Sequence, residues 1–126
     1  MIDINIIALT KMFSEMLDNQ VYAINFPAYT KGSFIKLEIT SGVQELGGVM
    51  DFNVQFMTKA NHPAEAEGVA LNIIYKLDMV TDIEFCEGKY QLILAKASSP
   101  QPYFLGETDS DEFVFSVDFR LLVSRL

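Results

Sequence analysis

Hydrophobic residues near the start of the chain recur every three or four positions, which is the spacing of one face of an α-helix. The apolar residues of this face are Ile6, Leu9, Phe13, Met16 and Leu17. Lys11 and Glu15 fall largely on the opposite side. Asp3 precedes the pattern and can accept hydrogen bonds from the first amides of a helix. The pattern therefore predicts a helix from about Ile4 to Asp18.

A second helical pattern occupies residues 61–78, NHPAEAEGVALNIIYKLD. Asn61 or His62 can cap its start, and Pro63 fits the first turn, where its missing amide hydrogen costs no helical bond. Glu65 and Glu67 favour the positive end of the helix dipole. We expect this helix to bury one side, which is formed by Ala66, Val69, Ala70, Ile73 and Leu77.

Between the two helices the hydrophobic period changes to two, which is typical of strands with one buried face. Residues 33–40 place Ile35, Leu37 and Ile39 on one face, and residues 50–56 show the same alternation. Glycines at positions 42, 47 and 48 separate the two segments. The pattern predicts an antiparallel pair of strands, preceded by a short extended piece over residues 21–26.

The second half of the chain contains three more strand patterns. Residues 83–85 and 90–97 flank a turn signal at Glu87-Gly88, which predicts a hairpin. Its second strand is expected to place Tyr90, Leu92 and Leu94 on one face. Residues 113–122 alternate again, which predicts a last strand. The expected inward residues of that strand are Phe113, Phe115, Val117, Phe119 and Leu121.

Residues 98–112, SSPQPYFLGETDSDE, combine two prolines, a glycine and an acidic end, and they are predicted to form a long connection. Tyr103 and Phe104 lie within it, where a monomer has difficulty burying both side chains. Either they anchor a partner, or they fold back over the sheet as a lid on the core. The acidic end is predicted to be a solvated loop.

The order of elements, α-β-β-β-α-β-β-β, predicts an α+β fold with two helices packed on one face of a mainly antiparallel sheet. Half of the 126 residues are hydrophobic, so we expect residues 1–126 to form a single ordered domain. No hydrophobic run is long enough to span a membrane. We expect no signal peptide, because the first residues show neither a basic region nor a small-residue cleavage site. We therefore expect a cytoplasmic protein.

Charge and chemistry exclude several classes of function. The net charge of -8 and the scattered lysines and arginines argue against tight binding of nucleic acid. His62 is the only histidine and Cys86 the only cysteine. We interpret His62 as part of a helix start and Cys86 as a small buried hydrophobe. Phosphate-binding, nucleophile and redox motifs are absent, so the sequence predicts no cofactor, no metal and no enzymatic activity.

Two segments carry a family resemblance. FNVQFMTKANHPAEAEGVALNIIYKL and SSPQPYFLGETDSDEFVFSVDFRLLV resemble the tail terminator, or minor capsid, proteins of long-tailed bacteriophages. In that family a strand of the form xVQFxT leads into an Ala-rich helix ending in Ile-Tyr-x-Leu, as residues 74–77 do here. A Pro-x-aromatic-Leu-Gly-x-x-Asp loop then precedes a strand with aromatic alternation. The matching residues are Pro102, Phe104, Leu105, Gly106 and Asp109, with Tyr103 at the variable position.

The resemblance implies a structural role. Such proteins cap the tail tube as a hexameric ring, stop polymerisation of the tube protein and offer a surface to the head–tail connector. DNA passes through the ring without tight binding, and the subunit moves from the host cytoplasm into the virion tail. Residues 102–106 and Asp109 are the expected partner interface. The alternatives are an acidic chaperone-like or protein-binding module, and a small enzyme built from scattered carboxylates.

Overall fold

The computed structural model describes residues 4–28, 31–44 and 46–126. Within these ranges the chain forms two α-helices, seven strands and one short 3-10 turn. The helices are α1 (Ile6–Leu17) and α2 (Pro63–Leu77), and the 3-10 turn is Leu46–Gly48. The strands are β1 (Val21–Ala23), β2 (Phe34–Gln44), β3 (Val49–Ala60), β4 (Val80–Phe85), β5 (Tyr90–Ala97), β6 (Tyr103–Glu107) and β7 (Phe113–Arg125).

The strands form one sheet in the order β1-β2-β3-β7-β5-β4, with β6 paired to β7 beyond the end of β5. Only β1 and β2 pair in parallel among the described strands. The predicted α+β class and element order are confirmed. The prediction of an uninterrupted connection over residues 98–112 was wrong, because it contains β6. Local turn signals from Pro100 and Pro102 hid a strand that forms by pairing with a distant one.

Strand β7 is paired along both edges. On one side β3 follows it from Ala60, opposite Phe113, to Val49, opposite Ser124. On the other side β5 pairs with residues 119–125 and β6 with residues 113–116. Both edges of a long buried strand are thereby hydrogen-bonded, as a backbone away from water requires.

The core lies between the two helices and one face of the sheet. Three aromatic rings connect the layers: Phe13 of α1 meets Phe56 of β3 edge-on at 5.2 Å, and Phe56 meets Phe119 of β7 at 5.6 Å. Such edge-to-face contacts add to the hydrophobic gain of burying the rings. Helix α2 buries Ala66, Ala70, Ile73 and Leu77 of its predicted stripe, whereas Val69 is only half-buried. The hydroxyl of the buried Thr58 donates to the carbonyl of Ala66 at 2.8 Å and ties β3 to α2.

The helix caps agree with the predictions in one case and correct them in the other. In α2, His62 Nδ1 accepts a hydrogen bond from the amide of Ala64 at 3.1 Å, so His62 is a capping residue. In α1 the cap is Asn5, whose Oδ1 accepts from the amide of Ala8 at 3.0 Å. The helix therefore starts at Ile6 rather than Ile4. The predicted cap Asp3 lies outside the described residues.

A β-bulge in β5 corrects the predicted face of that strand. Leu92 lies opposite Val123 and Leu94 opposite Leu122, so Ile93 is an extra residue in the register. Beyond the bulge, Ala95 takes the buried position and Leu94 turns to the other face of the sheet. One inserted residue inverts the alternation because side chains on a strand have a period of two.

A buried ion pair lies on the face of the sheet that is turned away from the helices, which we call the far face. Lys59 Nζ lies 2.9 Å from Glu112 Oε2, and the two side chains are only 10% and 8% exposed. Lys59 Nζ also lies 5.0 Å from the centre of the Phe26 ring and 5.5 Å from that of Phe34. The hydroxyl of Thr108 donates to Glu112 at 3.1 Å. Glu112 is therefore a buried, ion-paired residue. The prediction that it belongs to a solvated acidic loop was wrong.

Replacing Glu112 with Gln leaves Lys59 largely buried without its counter-charge. We expect the free energy of unfolding to fall by about 3 kcal/mol, measured by urea denaturation. The double variant Lys59→Met, Glu112→Gln should recover much of this loss, because no uncompensated charge remains. The exposed neighbour Asp111, replaced by Asn, is the matched control and should change stability little. A loss in Glu112→Gln no larger than that of the control would contradict the account.

Candidate functional site

Strand β6 exposes three large apolar side chains in a row. Tyr103, Phe104 and Leu105 are 52%, 57% and 49% exposed. One edge of the strand pairs with β7, and no other described strand pairs with its second edge. An open strand edge with apolar side chains is a ready surface for association. We refer to residues 103–107 as the β6 edge.

The sequence shapes this edge by a bulge and a glycine. Phe104 lies opposite Phe115 and Gly106 opposite Val114, so Leu105 is an extra residue that forms a β-bulge. Gly106 has a φ of 144°, a conformation that side-chain-bearing residues rarely adopt. The bulge therefore depends on glycine at position 106, and it leaves Leu105 projecting from the ladder.

Tyr103 and Phe104 point to opposite faces of the sheet, as neighbours on a strand do. Tyr103 pairs with Ser116 on the far face, whereas Phe104 pairs with the buried Phe115 on the helix face. The Phe104 and Phe115 rings are 5.3 Å apart, so Phe104 covers the rim of the core while half of its surface stays open. The two residues thus lie together on the β6 edge, where Tyr103 faces away from the core and Phe104 covers its rim.

The remaining predicted interface residues flank the edge. Pro102 precedes β6 and is half-buried, and Asp109 lies exposed in the turn between β6 and β7. That turn is organised by Thr108, whose hydroxyl accepts hydrogen bonds from the amides of Ser110 and Glu112. Glu107 and Asp111 are also exposed there. Within the described residues, no group of three or more acidic, histidine or cysteine side chains is arranged to hold a metal ion.

The other two outer strands are protected against edge-to-edge pairing. Asp82 interrupts β4 with a left-handed φ of 60°, and the exposed carboxylates of Asp82 and Glu84 line that strand. Strand β1 has only three residues, and the amide of Val21 is already bonded to the hydroxyl of Ser14 at 2.9 Å. Charges, irregularity and short length are the usual devices that keep strand edges apart. The β6 edge also has a bulge and an exposed acidic residue, Glu107, but three of its five residues are large exposed apolar side chains.

A cleft of about 670 Å³ lies between α1 and the hairpin of β4 and β5. Its apolar lining includes Met12 and Met16 of α1 and Phe85 and Tyr90 of the hairpin, and its rim carries lysines and glutamates. Cys86 lies in this lining, where it is half-buried and packs against the core. The sequence pattern did not predict the cleft, since it brings together elements about 70 residues apart.

Asp51 and Arg120 form a two-pronged ion pair on the far face of the sheet. Arg120 Nε lies 2.9 Å from Asp51 Oδ1, and Arg120 Nη2 lies 2.6 Å from Asp51 Oδ2. The hydrogen bonds from Arg120 hold the pKa of the Asp51 carboxyl below its ordinary value of 3.8, against an opposing effect of burial. Asp51 is not among the residues that line the cleft. We interpret this ion pair as a structural contact that joins β3 to β7.

Comparisons with known proteins show a likeness to solved structures. No family model matches the chain, and no curated protein matches it at a significant level. Among solved structures, the fold is similar to that of a chain in the virion of a native gene transfer agent particle, with a TM-score of 0.57. The match covers 88% of this chain and 83% of that chain, at 18% sequence identity. At this identity the likeness shows a shared fold. No helix in the described part of the chain is long and apolar enough to span a membrane.

Replacing Asp51 with Asn should destabilise the fold in a pH-dependent way. The folded-state pKa of Asp51 is lowered, so its contribution is present above the ordinary carboxyl pKa and is lost as pH falls through the folded pKa. We expect the loss in unfolding free energy to be full at neutral pH and to shrink below about pH 3.8. Urea denaturation across this range measures it, with exposed Asp109→Asn as the matched control. A loss that is constant down to the lowest pH would contradict the assignment.

Proposed function

We propose that this chain is a structural subunit of a phage-like particle that caps the end of the tail tube as a hexameric ring. In this role it stops polymerisation of the tube protein and offers a surface to the head–tail connector. The observation that carries the proposal is the fold likeness to a chain of a gene transfer agent virion, which extends over 88% of this chain. The resemblance of residues 52–77 and 98–123 to phage tail terminator proteins supports the same role.

The surface of the chain fits assembly. Rings require an interface that joins two different patches, and each patch must be accessible on the free subunit. The β6 edge offers Tyr103, Phe104 and Leu105 as exposed anchors, and aromatic side chains are enriched at the centres of interfaces. We assign the partner interface to Pro102, Tyr103, Phe104, Leu105, Gly106 and Asp109.

The negative net charge of the chain is compatible with DNA passing through the proposed ring. A net charge of -8 per subunit disfavours contacts with phosphates, so a ring of such subunits would let DNA through without gripping it. In the same proposal the subunit assembles in the host cytoplasm and ends in the virion tail. Catalysis has no part in this role, and no cofactor is assigned to the chain.

The alternative is an acidic module that binds proteins without catalysis, in the manner of a chaperone. It would use the same β6 edge, but with unrelated unfolded chains as partners. The two functions differ in stoichiometry and in partner. A ring on a tube end supports the first, and small complexes with unfolded chains support the second.

Removing this chain from a particle-producing strain should leave tails without length control. We expect tail tubes longer than those of the parent, together with heads that lack tails, because polymerisation has no stop and the connector has no docking surface. Electron microscopy of lysates gives the length distribution, and expression of the intact chain in trans is the control. Tubes of parental length joined to heads in the absence of the chain would contradict the proposal.

Replacing Tyr103 and Phe104 with Ser should weaken assembly far more than folding. Because both side chains are about half exposed, we expect the free energy of unfolding to fall by no more than about 1 kcal/mol for each. Self-association, or binding to tubes, should weaken at least tenfold, as measured by sedimentation. Tyr75, which is 81% exposed on α2, is the matched control when replaced by Ser. Equal effects on assembly in both variants, or loss of folding, would contradict the assignment.

A further inference from the structure

The β6 edge is held by strand β7 and by the two connections that flank it. Among the described helices and strands, β7 is the one with which β6 makes extensive contact. Before β6, residues 98–101 are mostly exposed, and the amide of Ser98 donates to the carbonyl of Asp118 at 2.8 Å. After β6, residues 108–112 lead directly into β7, and we call them the β6–β7 turn. The position of the β6 edge therefore depends on how this turn is held.

A single hydroxyl group organises the β6–β7 turn. The Thr108 hydroxyl accepts hydrogen bonds from the amides of Ser110 and Glu112, at 3.3 and 3.2 Å. It also donates to Glu112 Oε1 at 3.1 Å. A hydroxyl has one hydrogen to donate and two lone pairs with which to accept, so all of its capacity is used within this turn. The conformation of the turn is therefore tied to the side chain of Glu112.

The Glu112 carboxylate joins this turn to a strand on the other side of β7. Its Oε1 accepts from Thr108, and its Oε2 lies 2.9 Å from Lys59 Nζ on β3. The Lys59 and Glu112 side chains are both largely buried, so water competes little for the two oxygens. Strand β3 is hydrogen-bonded to β2 along one edge and to β7 along the other. The carboxylate therefore fastens the turn to the centre of the sheet.

A carboxylate satisfies both partners at position 112, whereas an amide cannot. Thr108 and Lys59 both donate to it, and an ionised carboxylate consists of acceptors alone. Gln at this position would offer one oxygen and one NH2 group. The NH2 group would face either the Lys59 ammonium, which accepts no hydrogen bond, or the Thr108 hydroxyl, whose lone pairs are already used. The link from the turn to β3 therefore depends on the charged form of Glu112.

We infer that Glu112 is a positioning residue for the partner interface. Through Thr108, its carboxylate holds the end of the β6 edge against the sheet, so that the three exposed apolar side chains keep one arrangement. A surface that is already ordered in the free subunit binds more tightly, because less conformational freedom is lost on association. The inference rests on the proposed interface at the β6 edge. It adds a buried residue that acts on this interface from behind.

Replacing Thr108 with Val tests the link, because the two side chains have nearly the same size and only the hydroxyl is lost. The Lys59–Glu112 ion pair keeps both of its partners. Hydrogen exchange read by mass spectrometry should become about tenfold faster for the amides of residues 103–112, since a hydrogen bond to a charged group contributes about that factor. The amides of β3 and β5 should keep their rates. Self-association, or binding to tubes, should weaken by a similar factor in sedimentation.

Three further variants separate positioning from stability. Thr108→Ser keeps the hydroxyl and should behave like the parent in both measurements. Asp111→Asn, an exposed change in the same turn, should alter neither. The double variant Lys59→Met, Glu112→Gln should regain most of the stability that Glu112→Gln loses, yet assemble as weakly as Thr108→Val, because no hydrogen bond joins its turn to β3. This double variant also decides the matter if Thr108→Val does not fold.

Three outcomes would overturn the inference. Normal assembly of Thr108→Val, beside weak assembly of Tyr103→Ser, Phe104→Ser, would refute the role of Glu112 and leave the proposed interface intact. Exchange that rises equally throughout the sheet would show that Thr108 and Glu112 only stabilise the fold. Normal assembly of Tyr103→Ser, Phe104→Ser as well would refute the proposed interface and this inference together.

Discussion

The pairing of β7 along both of its edges is the constraint on which the rest of the structure depends. β3 occupies one edge along the whole strand, and β5 and β6 share the other. Alternate residues of β7, from Phe115 to Val123, then form the floor of the core. Helix α2 packs on this floor, whereas α1 packs on β1, β2 and α2 at the same apolar face of the sheet. An amphipathic helix needs such a face to bury its own apolar side. Losing the β7 register would move every one of these side chains to the wrong face.

The same constraint explains why the chain has an exposed apolar strand edge. β7 extends past the end of β5, so the backbone groups of residues 113–116 need a partner, and β6 supplies it. Strand β4 begins opposite Ala95 and does not continue alongside β6, because the turn from α2 into β4 lies beside the end of β5: the amide of Met79 donates to the carbonyl of Ala95, and the Asp78 carboxylate accepts from the amide of Ala97. β6 thus completes the sheet internally and presents Tyr103 and Leu105 outward. One short strand thus both satisfies the backbone hydrogen bonds of β7 and exposes an apolar surface.

Much of the fold could be predicted from local patterns. The stripe from Ala66 to Leu77 and the alternation from Ile35 to Ile39 each reflect burial of one face, which a sequence shows directly. The features that were not predicted share another cause, because each depends on contact with a residue far away in the sequence. β6 forms because β7 lies beside it, the bulge at Ile93 is set by the register with Leu122, and Glu112 is buried because Lys59 lies across the sheet. For the candidate site, the composition around Tyr103 indicated the segment, but the strand that exposes it and the distant cleft depend on tertiary structure.

The central claim is that this chain is a ring-forming cap at the end of a tail tube. The most direct measurement is cryo-electron microscopy of tail tubes assembled from their tube protein and mixed with the purified chain. The account predicts sixfold density at one tube end, into which six copies of this fold can be placed with the β6 edge of each at a boundary between subunits. Bare tube ends, or density spread along the length of the tubes, would contradict it.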